Sequence, residues 1–253
     1  MRFHGEPPTH LTFGALEAVG VRHAFTTRHR GSFAGVSAPG GPFRSDVRHP
    51  ALEALGIEGA AVRFAWQVHG TTCLVADDAA PGLVGTGDAL ITTTRGSPLA
   101  VFTADCLPVV VVDPERRTLA VAHAGWRGTV SGVLGRLVGF LAARFGARPE
   151  HLRAGIGPSI GPCCYEVDEP VVGPLQTAFP GDWPRWARPK GLAGPGKWSL
   201  DLWQANTDQL TAAGVRPDAV VNARLCTACH RDLFFSYRKE GPGLRLATLA
   251  LLE

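Results

Sequence analysis

The sequence predicts a fold that combines buried β-strands with amphipathic helices, and three stretches carry that prediction. The first runs from Thr103 to Gly128. It holds two short apolar runs, Leu107–Val112 and Leu119–Ala122, separated by the turn residues Asp113, Pro114 and Glu115. Runs of this length, rich in β-branched residues and bounded by turn signals, read as two strands of a buried hairpin. The second is a helix. Val130, Val133, Leu134, Leu137, Val138 and Leu141 recur at the spacing of one helical face, and Gly146 is a natural stop. The third is another helix, with Asp201 as N-cap, Leu202–Ala213 as body and Gly214 at its end.

The remaining elements follow in order. Val21–Thr27 reads as a strand in which Val21, His23 and Phe25 share a face. Arg28–Pro50 is rich in Gly, Pro, Arg and Ser and reads as a loop. A short helix, Pro50–Leu55, ends at Gly56. Val62–His69 reads as a strand in which Phe64, Trp66 and Val68 alternate with Arg63, Ala65, Gln67 and His69. With the apolar set facing the core, Gln67 and His69 share the opposite face, and Gly70 lets the chain turn at once. Gly85–Thr94 holds a turn leading into a strand. Asp88 at its start reads first as a turn former, with support of a catalytic residue as the alternative. Ala154–Pro158 is a short apolar segment. Phe179–Trp198, rich in Pro, Gly and Trp, reads as a loop or insertion. Ala219–Asn222 and Arg245–Leu252 read as the last strands.

Composition narrows the function classes. The 253 residues suffice for a substantial core. A net charge of +3 is too small to argue for nucleic acid or a membrane surface. Met1–His10 is polar with two prolines, unlike a secretory leader, and no apolar run approaches the ~20 residues of a membrane span. A cytoplasmic protein is the expectation. Its six cysteines would then be largely reduced, and their spacing shows no disulfide framework.

The chemistry concentrates at one end of the hairpin. Cys106 enters the first strand and His123 leaves the second, so the pairing brings a thiol and an imidazole together. Such a pair can ligate a metal or act as nucleophile and base. What third group joins them is open from spacing alone. Arg127, at the start of the helix after His123, suits phosphate or another anion, and an ordinary surface position is the alternative. Cys226-Thr227-Ala228-Cys229-His230 matches the pattern of covalent haem attachment, which requires export and is set aside. Cys163 and Cys164, on opposite sides of an extended chain, would not complete a metal site with Cys226 and Cys229. Those two read as a reduced loop pair or a reversible disulfide, with a second metal as the lesser alternative.

Six motifs then occur in order: Gln67-Val68-His69-Gly70; Gly87-Asp88-Ala89-Leu90-Ile91-Thr92; Thr103-Ala104-Asp105-Cys106-Leu107-Pro108; His123-Ala124-Gly125-Trp126-Arg127-Gly128; Gly155-Ile156-Gly157-Pro158-Ser159-Ile160 with Cys164-Tyr165-Glu166-Val167; and Phe234-Phe235-Ser236-Tyr237-Arg238. Together, from about Val21 onward, the chain resembles the YfiH/LACC1 family, once labelled polyphenol oxidases or laccases. The resemblance implies an α+β fold with a mixed β-sheet core flanked by helices, in a single domain over residues 1–253. It implies a zinc ion held by His69, Cys106 and His123. The implied activities are phosphorolysis of adenosine, inosine, guanosine and methylthioadenosine, and deamination of adenosine. A copper-dependent oxidase activity and trimming of peptidoglycan precursors are also attributed to relatives. The expected partners are purine nucleosides and inorganic phosphate, with no nucleic acid and no membrane, in a monomer or homodimer.

Residue chemistry agrees with part of this. Two neutral imidazoles and one thiolate fill three corners of a tetrahedron and leave the fourth open, as catalytic zinc requires. Asp105 is a further catalytic candidate that orients a ligand or handles a proton. Gln67, Arg127 and Arg238 are candidates for holding substrate or phosphate. Two departures from the family pattern stand out. Gly41-Pro42-Phe43-Arg44-Ser45-Asp46-Val47-Arg48 lacks the usual Asn, and Leu244-Arg245 replaces a usual Gly-Arg. Three other readings are a copper phenol oxidase, a non-catalytic metal protein, and a cysteine hydrolase with Cys106 as nucleophile and His123 as base. The nine histidines lack the paired H-x-H pattern of multicopper sites, which disfavours the first.

Overall fold

The computed structural model describes residues 1–34, 49–191 and 195–253. The departing segment 41–48 lies outside the described residues, as does most of the loop expected over 28–50. Two sheets stack against each other. The first has the order β1 (Arg2–His4), β2 (His10–Thr12), β3 (Val21–Thr26), β16 (Leu246–Leu252), β8 (Leu99–Thr103), β4 (Arg63–Trp66) and β6 (Gly82–Thr86). The second has the order β15 (Val220–Asn222), β11 (Arg153–Ile156), β9 (Leu107–Asp113), β10 (Thr118–Ala124), β7 (Ala89–Thr92) and β5 (Cys73–Val75). Most neighbours are antiparallel, whereas β4 runs parallel to β6 and β8, β5 to β7, and β11 to β15. The expected mixed, α+β architecture is what the chain forms.

Burial explains why the hairpin reads as continuous apolar runs. Val110, Val112, Leu119 and Val121 pack with Leu11, Phe25, Leu99 and Ala250 of the first sheet. Their alternates Val109, Val111, Ala120 and Ala122 pack instead with Leu134, Leu137 and Leu141 of α4 (Val133–Phe145) and with Leu210 of α7 (Leu202–Ala212). Both faces of β9 and β10 are therefore covered, and every residue in them is buried, so period-two alternation disappears. Each large side chain of this kind contributes roughly 1.5–3 kcal/mol. On the far side of the first sheet, Ala51, Leu52 and Leu55 of α2 (Pro50–Leu55) pack with Phe64, Phe102 and Leu249. Short helices α1 (Gly14–Glu17), α5 (Glu169–Ala178) and α8 (Tyr237–Glu240) complete the periphery.

Three expectations need correction. The helix after His123 is two helices, α3 (Trp126–Val130) and α4, broken at Gly132 with φ 72°. The apolar face runs on across the break, so periodicity alone does not reveal it. The segment 179–198 is not only loop. It carries α6 (Trp183–Trp186) and β13 (Ala187–Pro189), which pairs with β14 (Trp198–Leu200), itself paired with β12 (Glu166–Val167). Finally, β4 stops at Trp66. Ala65 packs between the sheets while Val68 is 47% exposed, so the expected two-faced pattern ends before Gln67.

Candidate metal centre

The hairpin register sets the first two donors. Asp113 accepts hydrogen bonds from Glu115 N (2.9 Å) and Arg116 N (3.1 Å), closing the turn. With that register His123 lies opposite Pro108 and Ala124 opposite Leu107. Cys106, one residue before β9, therefore ends beside the chain leaving β10. The third donor arrives from the loop after β4, where His69 takes the left-handed conformation with φ 60°. The Cys106 Sγ lies 3.8 Å from His69 Nε2. The two imidazole centroids are 4.7 Å apart with nearly perpendicular planes. One donor atom from each of His69, Cys106 and His123 lies within 4.8 Å of the other two.

Asp88 builds this arrangement. It is fully buried, and its carboxylate accepts from three successive backbone N–H groups: Val68 (3.2 Å), His69 (2.9 Å) and Gly70 (2.7 Å). Left-handed His69 makes that run of N–H groups concave, a nest around the anion. The same carboxylate lies 2.8 Å from His123 Nδ1. Donation there leaves Nε2 of His123 to face Cys106 and His69, the usual way a metal-binding histidine is oriented. Burial opposes the charge on Asp88, yet the His123 bond and these N–H groups hold it below the ordinary carboxylate range. The reading of Asp88 as a simple turn former is thus corrected: turn statistics cannot see a partner 35 residues away.

The donors polarise each other. Burial alone would raise the Cys106 thiol, but His123 and then His69 outweigh it and hold it at about 6. Burial alone would lower His123, but the Cys106 thiolate and Asp88 raise it to about 9. A divalent cation replaces the proton in such a pair and is favoured by the same anions. Space is tight beside them. A Cβ on Gly125 would sit 2.7 Å from His69 Cδ2 and 3.0 Å from Cys106 Sγ, so glycine is required.

The three donors open into a cavity of about 520 Å³. Aromatic Trp66, Trp126, Tyr165 and Tyr237 line it together with Arg127, Arg238 and Arg245. The other sequence candidates all border it, in different situations. Arg127 stacks on Trp126, with its guanidinium 4.3 Å from the ring centroid. Arg238 lies 5.1 Å from the Tyr165 ring centroid and donates to Glu166 O at 2.7 Å. Gln67 has its amide engaged: Nε2 donates to Phe102 O (2.8 Å) and Oε1 accepts from Phe102 N (2.7 Å). Asp105, with φ 84°, accepts from Thr227 Oγ1 (2.6 Å), Ser236 Oγ (3.1 Å) and Arg238 N (2.6 Å). Trp126, Tyr165 and Tyr237 were not singled out in the sequence as lining residues, although each lies inside one of the six motifs or beside Arg238.

Known proteins resemble this chain in sequence and in fold. The family described as multi-copper polyphenol oxidoreductase laccase matches residues 45–253. A purine nucleoside phosphorylase from Deinococcus radiodurans is 40% identical over 234 residues, 87% of this chain and 84% of that one. The purine nucleoside phosphorylase YlmD from Geobacillus stearothermophilus is 41% identical over 162 residues, 64% of this chain. Adenosine deaminase RL5, from an unknown prokaryotic organism, is 39% identical over 154 residues, 61% of this chain. The matched stretch spans 57% of the length of each of the last two. The crystal structure of YlmD from Geobacillus stearothermophilus superposes with a TM-score of 0.87 at 33% identity, covering 99% of this chain and 98% of that one. With a family match across residues 45–253 and a relative of this identity along most of its length, the chain belongs to the YfiH/LACC1 family.

Proposed function

We propose that this protein is a zinc-dependent purine nucleoside phosphorylase that also deaminates adenosine. One observation carries the reading: two imidazoles and a thiolate converge at the floor of a cavity walled by aromatic rings and arginines. The names of the relatives point the same way. The His69, Cys106 and His123 donor set fits zinc, which prefers such N and S ligands in tetrahedral sites. Held by His69, Cys106 and His123, a zinc ion would supply Lewis-acid chemistry to the cavity.

The rest falls to the chain's own residues. Flat aromatic walls suit a purine ring. Arg127 and Arg238 present planar, permanently charged donors that match phosphate oxygens bidentately. In phosphorolysis the phosphate oxygen attacks C1′ of the ribose while the bond to the purine breaks, and the arginines offset the anion's charge. Asp88 keeps His123 in one tautomer. Asp105 is already held by three donors, which favours a positioning task over proton transfer. The paired amide of Gln67 fixes the β4 end against β8 beside the cavity.

Copper oxidation of phenols is the reading behind the family's description. A His₂Cys set also binds copper tightly, but among the described residues the other metal-type cluster contains cysteines only. The deciding experiment is mass-spectrometric product analysis of zinc-loaded protein with adenosine, with and without phosphate. Adenine and ribose 1-phosphate that require phosphate, and inosine that does not, all absent with Cys106→Ala, are expected. No turnover of any purine nucleoside by protein with one zinc at this site overturns the proposal. Phenol oxidation by the copper-loaded form would then take its place.

A further inference from the structure

Four of the six cysteines, far apart in sequence, meet at one place. Cys163 and Cys164 belong to one turn, and Cys226 and Cys229 to another. The four sulfurs all lie within 4.8 Å of one another. The expectation that adjacent Cys163 and Cys164 point apart fails because the chain there is not extended. Cys164 N and Tyr165 N both donate to Gly161 O, at 3.0 and 2.9 Å, and wind residues 161–165 into a turn. The facing turn is wound in the same way, with Cys229 N and His230 N on Cys226 O at 3.2 and 3.0 Å. Two tight turns thus present two thiols each to a common centre.

The spacing discriminates between a metal and a disulfide. Cys229 Sγ is 3.5 Å from Cys163 Sγ and 3.4 Å from Cys164 Sγ. A disulfide needs about 2.05 Å and would select one of these partners. A zinc ion with bonds of about 2.3 Å to four sulfurs sets them about 3.8 Å apart at the corners of a tetrahedron. The near-equal approach of Cys229 to both partners matches the tetrahedron. The surroundings match as well. The Gly161 N–H donates to the buried Cys226 Sγ at 3.3 Å, the kind of bond that stabilises a metal-bound thiolate. Gly161 has no room for a side chain, because a Cβ would lie 2.5 Å from the Trp203 ring.

We propose that Cys163, Cys164, Cys226 and Cys229 bind a second zinc ion, which staples the two turns together. Four protein ligands close the coordination sphere, so this site is structural. Its position gives it a task. Thr227, inside the second turn, donates to Asp105, the neighbour of Cys106. Tyr165, directly after Cys164, lines the cavity. The staple therefore ties two walls of that cavity to each other. Binding releases protons from the thiols as they become thiolates, and no oxidant takes part.

The test is metal content and zinc X-ray absorption on untagged protein prepared under reducing conditions. The Cys106→Ala variant removes a donor of the His69–Cys106–His123 cluster and leaves the four cysteines intact. It is expected to hold one zinc per chain with a shell of sulfur alone. The Cys163→Ser/Cys229→Ser variant is expected to lose that ion. No zinc in Cys106→Ala, iron in its place, or a disulfide joining Cys229 to Cys163 or Cys164 in freshly alkylated protein would overturn the proposal. The Cys106→Ala result decides even if the double variant does not fold, and it does not depend on whether purine nucleosides are turned over.

Discussion

Asp88 shows what one side chain can hold in place. It receives three backbone N–H groups and faces His123, so it fixes the His69 loop and the His123 tautomer together. Asp88→Asn supplies one acceptor oxygen instead of two and places an NH₂ group against N–H donors. Zinc affinity is expected to fall about 10–100-fold, the usual cost of losing such support. Competition with a chromophoric chelator measures it, and unchanged affinity would remove Asp88 from the site. Asp105→Asn separates positioning from ligation. Its three donors lose part of their acceptor, so kcat/KM for the nucleoside should drop about 10-fold or more while zinc stays bound. Loss of the metal instead would make Asp105 part of the metal site. At this scale the sequence was informative about residue types and poor about partners. Cys106 and His123 could be paired from the hairpin alone. Asp88 could not, because its worth comes from contacts with Val68, His69, Gly70 and His123 across the fold.

Elements were legible where one pattern dominates. The β9–β10 hairpin and α7 follow from apolar runs, turn residues and an Asp N-cap that accepts from Gln204 N at 2.9 Å. The break between α3 and α4 was not legible, since Val130 and Val133 keep the helical spacing across it. Gly132 makes the break possible with its left-handed backbone and open surroundings. Gly132→Ala is expected to cost about 1 kcal/mol, which lowers Tm by about 2–4 °C in a chain of this size. Calorimetry would show it. A rise in Tm would mean that a continuous helix is the better packing. The turns carrying the four cysteines are hidden from the sequence for a related reason. Adjacent cysteines point apart only on an extended chain, and the hydrogen bonds to Gly161 O and Cys226 O that curl both turns leave no mark in composition.

The whole molecule carries a titration signature away from the candidate site. His10 and His49 are buried, and burial above all holds each at about 4 against an ordinary 6.5. His23 is lowered for the same leading reason. Two of these rings are also used as neutral acceptors, His23 Nε2 from Phe13 N at 2.8 Å and His49 Nδ1 from Ala51 N at 3.1 Å. At His10 and His49 the unfolded chain takes up protons below about 6.5 and the folded chain only near 4. Stability from these groups is therefore complete above 6.5 and declines as the pH falls towards 4. His10 and His49 each contribute on the order of 1–3 kcal/mol to that decline. Tm should fall between pH 7 and pH 4.5, and His49→Asn should flatten the slope. A flat wild-type profile would show that these rings protonate in place.

The last strand has a meaning beyond packing. Leu246–Leu252 does not close an edge; it lies between β3 and β8 and is hydrogen-bonded to both. Without Leu246–Leu252, β3 and β8 would face a gap, with unpaired N–H and C=O groups on each side. Open edges of that kind are templates for pairing with another chain. The strand is thus the keystone of the first sheet: among the described residues, β1, β2 and β3 on one side and β8, β4 and β6 on the other are joined in that sheet through it alone.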